Sequence, residues 1–266
     1  MDACVPEGGG PVVVTRHGGV LLARMDAVAY RNALSVEMKR GLAGVAQRYA
    51  DDASLRCLVL TGTDAVFCAG GDLRDMSDER SAQAIRTRME LSHRIVRTLA
   101  ACEKPVLTAV NGAAVGAGLS LALLGDIVVA RDDAYFMPGF SRVGVLPDLG
   151  LLYHLPRAIG MPRANELLMT NRRVAAPEAL QMGLVSRVLP AAGFMDEVLA
   201  LADGLAQGPT VALGLGKVLA DAAWREDLAS YLHRETLAQA AVFGTDDFME
   251  GTDAFKHKRP PVFSGR

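Results

Sequence analysis

Cysteine is scarce, and the few residues present are poorly spaced for metal. The chain of 266 residues carries Cys4, Cys57, Cys68 and Cys102, and no two stand at the paired spacings of a zinc site. Their scatter through a chain of this size also argues against a disulfide framework, so reduced, mostly buried thiols are expected. A charge imbalance is missing too. The formal net charge is −2, which excludes nucleic acid as the main partner and favours a small ligand. The longest apolar run, residues 113–125, stops at Asp126. It falls short of the ~20 residues a membrane span needs. The opening MDACVPEGGGP has neither the basic nor the apolar segment of a secretory signal, and the chain carries no internal repeat or low-complexity linker. These absences predict a protein with no membrane span and a cytoplasmic location.

What is present is apolar: 50% of the residues are hydrophobic, enough for one large core or a core with a helical appendage. Residues 12–15 and 20–24 read as strands of a hairpin joined through His17-Gly18-Gly19. Ser35 is an N-cap for an amphipathic helix running to about Tyr49. Residues 55–61 form a buried strand, and residues 79–102 carry helical spacing until Lys104-Pro105 stops it. Helices come next at 151–159 and 163–170, then a helical turn at 177–182 and a short strand at 184–189. From Gly193 onward the pattern is helical, with breaks at Gly208-Pro209, near Trp224 and around Thr245. Strands alternating with helices and then helices alone predict an α/β core with a helical C-terminal part.

Residues 108–150 organise the chain. A strand at 106–110 meets the Asn111-Gly112 turn, and at Gly116-Ala117-Gly118 the backbone passes into a helix. The first amides of a helix have no partner inside it, and small residues leave them open to a ligand oxygen. An oxygen gaining negative charge is stabilised there. A second such place is Ala69-Gly70-Gly71-Asp72, where Asp72 can cap the following turn.

The motifs FCAGGDL at 67–73, AVNGAAVGAGLSLALLGDIVVA at 109–130 and the tail GTDAFKHKRPPVFSGR resemble the crotonase, or enoyl-CoA hydratase/isomerase, superfamily. The resemblance implies a ββα spiral core over 12–195, after a flexible lead at 1–11, and a helical region at 196–266 that builds trimers or hexamers. It implies acyl-CoA thioester substrates, with coenzyme A carried by the substrate and no metal or redox cofactor. Carried over by position, the oxyanion hole falls on the amides of Gly71 and Ala117. Arg31, Ala69, Phe255 and Lys258 match positions that approach coenzyme A, the last two sometimes from a neighbouring subunit.

Two positions depart from the hydratase pattern. Where hydratases place paired glutamates this chain has Ser120 and Phe140, neither able to do acid/base work. An acid stands instead at Asp148, a position that isomerases of the superfamily fill with Asp or Glu and 4-chlorobenzoyl-CoA dehalogenases with a nucleophilic Asp. The apolar setting of Val145, Leu146, Leu149, Leu151 and Leu152 raises a carboxylate's basicity. An Asp between Pro147 and an apolar helical run is also a good N-cap, a purely structural role. The expectation is an acyl-CoA isomerase with Asp148 as proton shuttle. The alternatives are a dehalogenase-like enzyme or ring isomerase, a non-catalytic CoA-thioester binder, and a serine hydrolase built on Gly118-Leu119-Ser120-Leu121-Ala122 with Asp148 and His154. Asp72 and Asp126 read as structural acids, and His154 and His233 as packing residues.

Overall fold

A computed structural model describes residues 10–74 and 81–266. Cys4 and nearly all of the lead expected at 1–11 lie outside the described residues. The chain opens as read, with β1 (Val12–His17) and β2 (Val20–Met25) in an antiparallel hairpin whose loop turns at Gly18, φ 57°. A positive φ at the first loop residue suits the twist of the flanking strands. Ser35 then caps α1 (Val36–Asp51), its hydroxyl accepting the Met38 amide at 3.1 Å. Met38, Leu42, Val45, Ala46 and Tyr49 form the buried stripe of that helix.

From there the chain repeats one step, a strand in each of two sheets and then a helix. The first such unit is β3 (Cys57–Thr61), β4 (Val66–Cys68) and α2 (Ala82–Ala101). The second is β5 (Val106–Val110), β6 (Ala113–Val115) and α3 (Ala117–Ala122). Next come β7 (Ile127–Arg131) and β8 (Tyr135–Met137), then α4 (Leu151–Ile159) and α5 (Met161–Thr170). The core closes with β9 (Val174–Ala175), α6 (Ala176–Met182) and β10 (Arg187–Leu189). The large sheet runs β1-β2-β3-β5-β7-β10, parallel from β2 onward, and the small one β4-β6-β8-β9. This is the α/β spiral expected, although the sequence shows no repeat. The helices that close successive turns span 20 and 6 residues, so equivalent positions carry unrelated side chains.

Both faces of the large sheet are covered, which is why every residue of β3 and β5 is buried and nearly all are apolar. Alternate residues sort between two cores: Leu58, Leu60, Val106 and Val110 face the main one, while Cys57, Val59, Leu107 and Ala109 meet α7 (Phe194–Ala206). Phe194 and Val198 of that helix are buried there, each contributing about 1.5–3 kcal/mol. Cys57, Cys68 and Cys102 are free and buried.

Several boundaries shift from the expectation: β1 runs on to His17 and α5 starts two residues early, at Met161. β3 starts at Cys57, because the Arg56 and Cys57 amides first return to the Gly19 carbonyl. Helix α2 starts at Ala82 behind the N-cap Ser81. β10 starts at Arg187, since the Leu184 and Val185 amides close α6 onto the Ala179 carbonyl.

Beyond α7 lie α8 (Thr210–Ala222), α9 (Leu228–Phe243) and α10 (Asp246–His257). The tail folds back on its own chain. Arg56 donates to the Thr210 hydroxyl (2.8 Å) and the Phe263 carbonyl (3.1 Å), and buried Asp247 accepts the Ser264 and Gly265 amides. Among the described residues no single helix is long and apolar enough to cross a membrane; α7 with α8 passes on composition, but the pair bends by 99°.

Candidate active site

Two glycine-rich turns meet at the ends of β4 and β6. Gly70, at φ 105°, lies so close to the second turn that a Cβ on it would stand 2.9 Å from the Val115 carbonyl and 3.5 Å from the Ala117 amide nitrogen. A Cβ on Gly118 would fall 2.2 Å from the Cys68 carbonyl oxygen. Only glycine permits these approaches. The first turn is pinned from outside: the Leu34 amide bonds the Gly70 carbonyl (2.7 Å), and the Ala69 amide bonds the Arg31 carbonyl (3.0 Å). Buried Asn32, itself at φ 54°, donates to the Val66 and Phe67 carbonyls.

The second turn opens α3. Gly116 caps the helix at φ 57° and donates to the Met137 carbonyl, while the Leu119 and Ser120 amides return to the Gly116 carbonyl. The Ala117 amide is thereby left with no acceptor among the described residues, as is the Gly71 amide on the other turn. These are the two amides to which the family resemblance assigns the oxyanion hole.

Asp148 stands beside these turns. Burial pushes the Cys68 thiol up to about 12 and the nearby Asp148 charge adds to the rise, while the Cys68 carbonyl touches Gly118. Burial pushes the Asp148 carboxyl above the usual carboxylate range, and the nearby Lys39 ammonium, with a smaller contribution from His93, pulls it partly back. Its Oδ1 is buried and makes no hydrogen bond. The N-cap role open to it from sequence is not taken. Gly150 caps α4 without a side-chain bond, and only the Asp148 backbone carbonyl engages the helix, accepting the Leu151 amide. Leu149 and Gly150 both adopt positive φ, 47° and 79°, a turn that no local signal announces for leucine.

Lys39 and His93 went unnoticed in the sequence. Each is one polar residue on an amphipathic helix, α1 or α2, and only the packing of those helices on each other brings both toward Asp148. Lys39 also lines a cavity of about 1110 Å³ between α1 and α2.

Of the other candidates, Arg31 and Ala69 meet at the first turn through their backbone bond. Arg31 is exposed at φ 52°, next to a cavity of about 740 Å³ lined by Tyr30, Ser35, Arg40, Asp72 and Arg74. Phe255 and Lys258 are exposed on α10 and its cap, with no hydrogen bond or ion pair to Arg31 or Ala69 among the described residues. Asp72 is structural as read: Oδ1 accepts the Arg74 amide, and the Arg74 guanidinium closes on the carboxylate and stacks over Tyr30 at 3.6 Å. Asp126 accepts the Val106 amide (2.7 Å) and the Lys217 ammonium (2.9 Å). His154 packs half-buried against Gly150, its pKa lowered by burial, whereas His233 is exposed on α9 and takes no part in the core.

A serine-hydrolase elbow is ruled out. A strand, β6, does precede the turn, but Ser120 is the fourth residue of α3, is fully buried, and its hydroxyl has no hydrogen-bond partner. Among the described residues no group of three or more His, Cys, Asp or Glu side chains could hold a metal ion.

The enoyl-CoA hydratase/isomerase family model matches residues 15–266. The chain belongs to this family, within the crotonase superfamily. It is 36% identical to 1,2-epoxyphenylacetyl-CoA isomerase of Escherichia coli K12, over 93% of this chain and 96% of the relative. It is 35% identical to 4-chlorobenzoyl coenzyme A dehalogenase-2 of an Arthrobacter species, over 93% and 91%. The solved structure of an enoyl-CoA hydratase from Polaromonas sp. JS666 superposes with a TM-score of 0.90 at 34% identity, covering 96% of this chain and all of that one. Family membership identifies an enzyme fold that acts on CoA thioesters.

Proposed function

We propose that this family member is an acyl-CoA isomerase. The Gly71 and Ala117 amides hold the thioester oxygen as an enolate develops. Asp148 takes a proton from one carbon of the unsaturated acyl chain and returns it to another. The observation that carries the reading is the Asp148 carboxylate itself, partly buried, with an unbonded oxygen and a raised pKa beside two open amides. A carboxylate held back from water is a stronger base, and donors aimed at the forming oxyanion lower the barrier to proton removal. Ser120 and Phe140 offer no second acid to activate water for hydration. Arg31, Ala69, Phe255 and Lys258 are assigned to coenzyme A, the last two from a neighbouring copy in a homotrimer or hexamer. That assembly is supported by α9, which has no buried residue and exposes Leu228, Leu232, Leu237 and Phe243.

The test offers 3-enoyl, 2,4-dienoyl, 2-enoyl and aromatic CoA esters to the protein in deuterated water. Isomerisation of an unsaturated ester with deuterium entering the chain is expected. Hydration without isomerisation, or no exchange with any ester, overturns the reading.

A second reading has one observation in its favour: His93 on α2 is close enough to Asp148 to act on its ionisation, and an imidazole so placed can activate a water. In this dehalogenase-like route Asp148 attacks the halogen-bearing ring carbon of an aromatic acyl-CoA, halide leaves, and the activated water then attacks the Asp148 carboxyl carbon, releasing the hydroxyaryl-CoA and restoring the carboxylate. Label from ¹⁸O-water entering Asp148 in a single turnover distinguishes this route, since a proton shuttle leaves both carboxylate oxygens in place.

A further inference from the structure

Asn171 ends α5 in the left-handed conformation, φ 55° and ψ 32°, with its amide returning to the Leu167 carbonyl at 2.8 Å. Glycine would serve equally well at such a cap. What asparagine adds is its side chain, which is buried and accepts the Gly139 amide through Oδ1 at 2.5 Å, across 32 residues of sequence. That bond fixes the amide's orientation, so Nδ2 is the remaining donor, and it is buried with no acceptor. A buried donor left unmade is costly to keep. Its retention points to the clamp on Gly139 as the reason for the residue.

Gly139 is a junction. Its φ is 78°, and a Cβ there would stand 3.1 Å from the Gly116 nitrogen and 3.2 Å from the Gly116 Cα, so its backbone packs directly on the cap of α3. The amide after Gly116 is that of Ala117. In the other direction Gly139 starts the short helical turn Phe140–Val143, and the exposed residues 141–146 lead from it to Asp148. The base of the clamp is rigid. Arg172 pairs with Glu166 and Glu178, both at 2.7 Å, Arg173 stacks over Tyr135 at 3.6 Å, and Val174 pairs with Phe136 of β8.

We propose that Asn171 is a positioning residue for the reaction centre, its side-chain oxygen locking Gly139 and so setting both the turn that presents the Ala117 amide and the root of the loop that carries Asp148. The proposal rests on the roles given above to Ala117 and Asp148. It adds a device that acts on both at once without touching substrate.

Two variants test it. Asn171→Gly keeps the left-handed cap and removes the clamp, whereas Asn171→Asp keeps an acceptor for the Gly139 amide. In the glycine variant, hydrogen–deuterium exchange of peptides spanning 116–118 and 139–148 is expected to quicken about tenfold or more, because both segments lose one anchor. Its turnover number is expected to fall by about tenfold to a hundredfold, the scale of a small misplacement of reacting groups. Affinity for a saturated, unreactive acyl-CoA should stay near wild type, the melting temperature should fall by only a few degrees for the one lost buried hydrogen bond, and the aspartate variant should recover most of the turnover. Unchanged exchange in the glycine variant, a loss of turnover matched by equal losses of affinity and melting temperature, or no recovery by aspartate overturns the proposal. If the wild-type protein isomerises no ester, the functional reading fails, and the exchange measurement alone decides the clamp.

Discussion

The carbonyl oxygen of Cys68 lies only 2.2 Å from where the Cβ of Gly118 would be. The end of β4 and the first turn of α3 are therefore in backbone contact, and that contact fixes the spacing between the Gly71 and Ala117 amides. Gly118→Ala must push the two turns apart. A destabilisation of about 1–3 kcal/mol is expected from the overpacking. Turnover should fall further than stability explains, because the paired donors lose register; melting curves and proton-exchange rates on the same samples check this. Normal exchange in a folded variant would show that the spacing is not critical.

Asp148→Asn is expected to bind acyl-CoA esters with near wild-type affinity and to lose isomerisation by about 10²–10⁴-fold, the usual worth of a positioned base. Isothermal titration and rate measurements together separate the two effects. Full activity in this variant excludes Asp148 as the base.

The same carboxylate predicts a pH signature. Burial raises its folded-state pKa, so the folded protein holds that proton more tightly than the unfolded chain does. The stability this contributes is complete below the unfolded-chain value and is lost as pH rises through the raised value. At about pH 7 the ionised group strains the unliganded fold, so Asp148→Asn should melt higher than wild type there, with the gap closing as pH falls toward about 4. Activity runs the opposite way, declining in acid as the base is protonated. A gap in melting temperature independent of pH contradicts this account.

Ser120 carries a buried hydroxyl with no partner. Ser120→Ala removes an unmade bond and is expected to leave stability unchanged or raise it by up to about 1–3 kcal/mol. Turnover should persist, and a fluorophosphonate probe should label neither protein. A large loss of activity in a stable Ser120→Ala protein would instead place the hydroxyl on the substrate.

Leu232 and Leu237 are 48% and 60% exposed on α9. Replacing both with glutamate should dissociate the proposed trimer, read by sedimentation, without lowering the helix content seen by circular dichroism. A wild-type protein that sediments as a monomer removes the need for a partner at this surface.

Local sequence decided much of this molecule. The hairpin through Gly18, the helix behind Ser35, the strand Val106–Val110 and the break at Thr245 are each written in a few adjacent residues, because turn chemistry, capping and apolar period act over one or two turns of chain. Open amides at the Gly116–Gly118 turn were legible for the same reason, since a glycine-rich entry to a helix leaves its first donors unused, whereas Gly71 and Ala117 were singled out by the family resemblance. Strand β6 was not legible, because three small residues carry too little pattern and their partners come from β4 and β8. Local sequence alone favoured capping for Asp148, and the family position favoured chemistry. Only the left-handed turn at Leu149 and Gly150 hands the cap to glycine and leaves the carboxylate free. Lys39, His93 and Asn171 gain their roles from helices and loops far apart in sequence. Their meaning is set by packing, which no local stretch of sequence encodes.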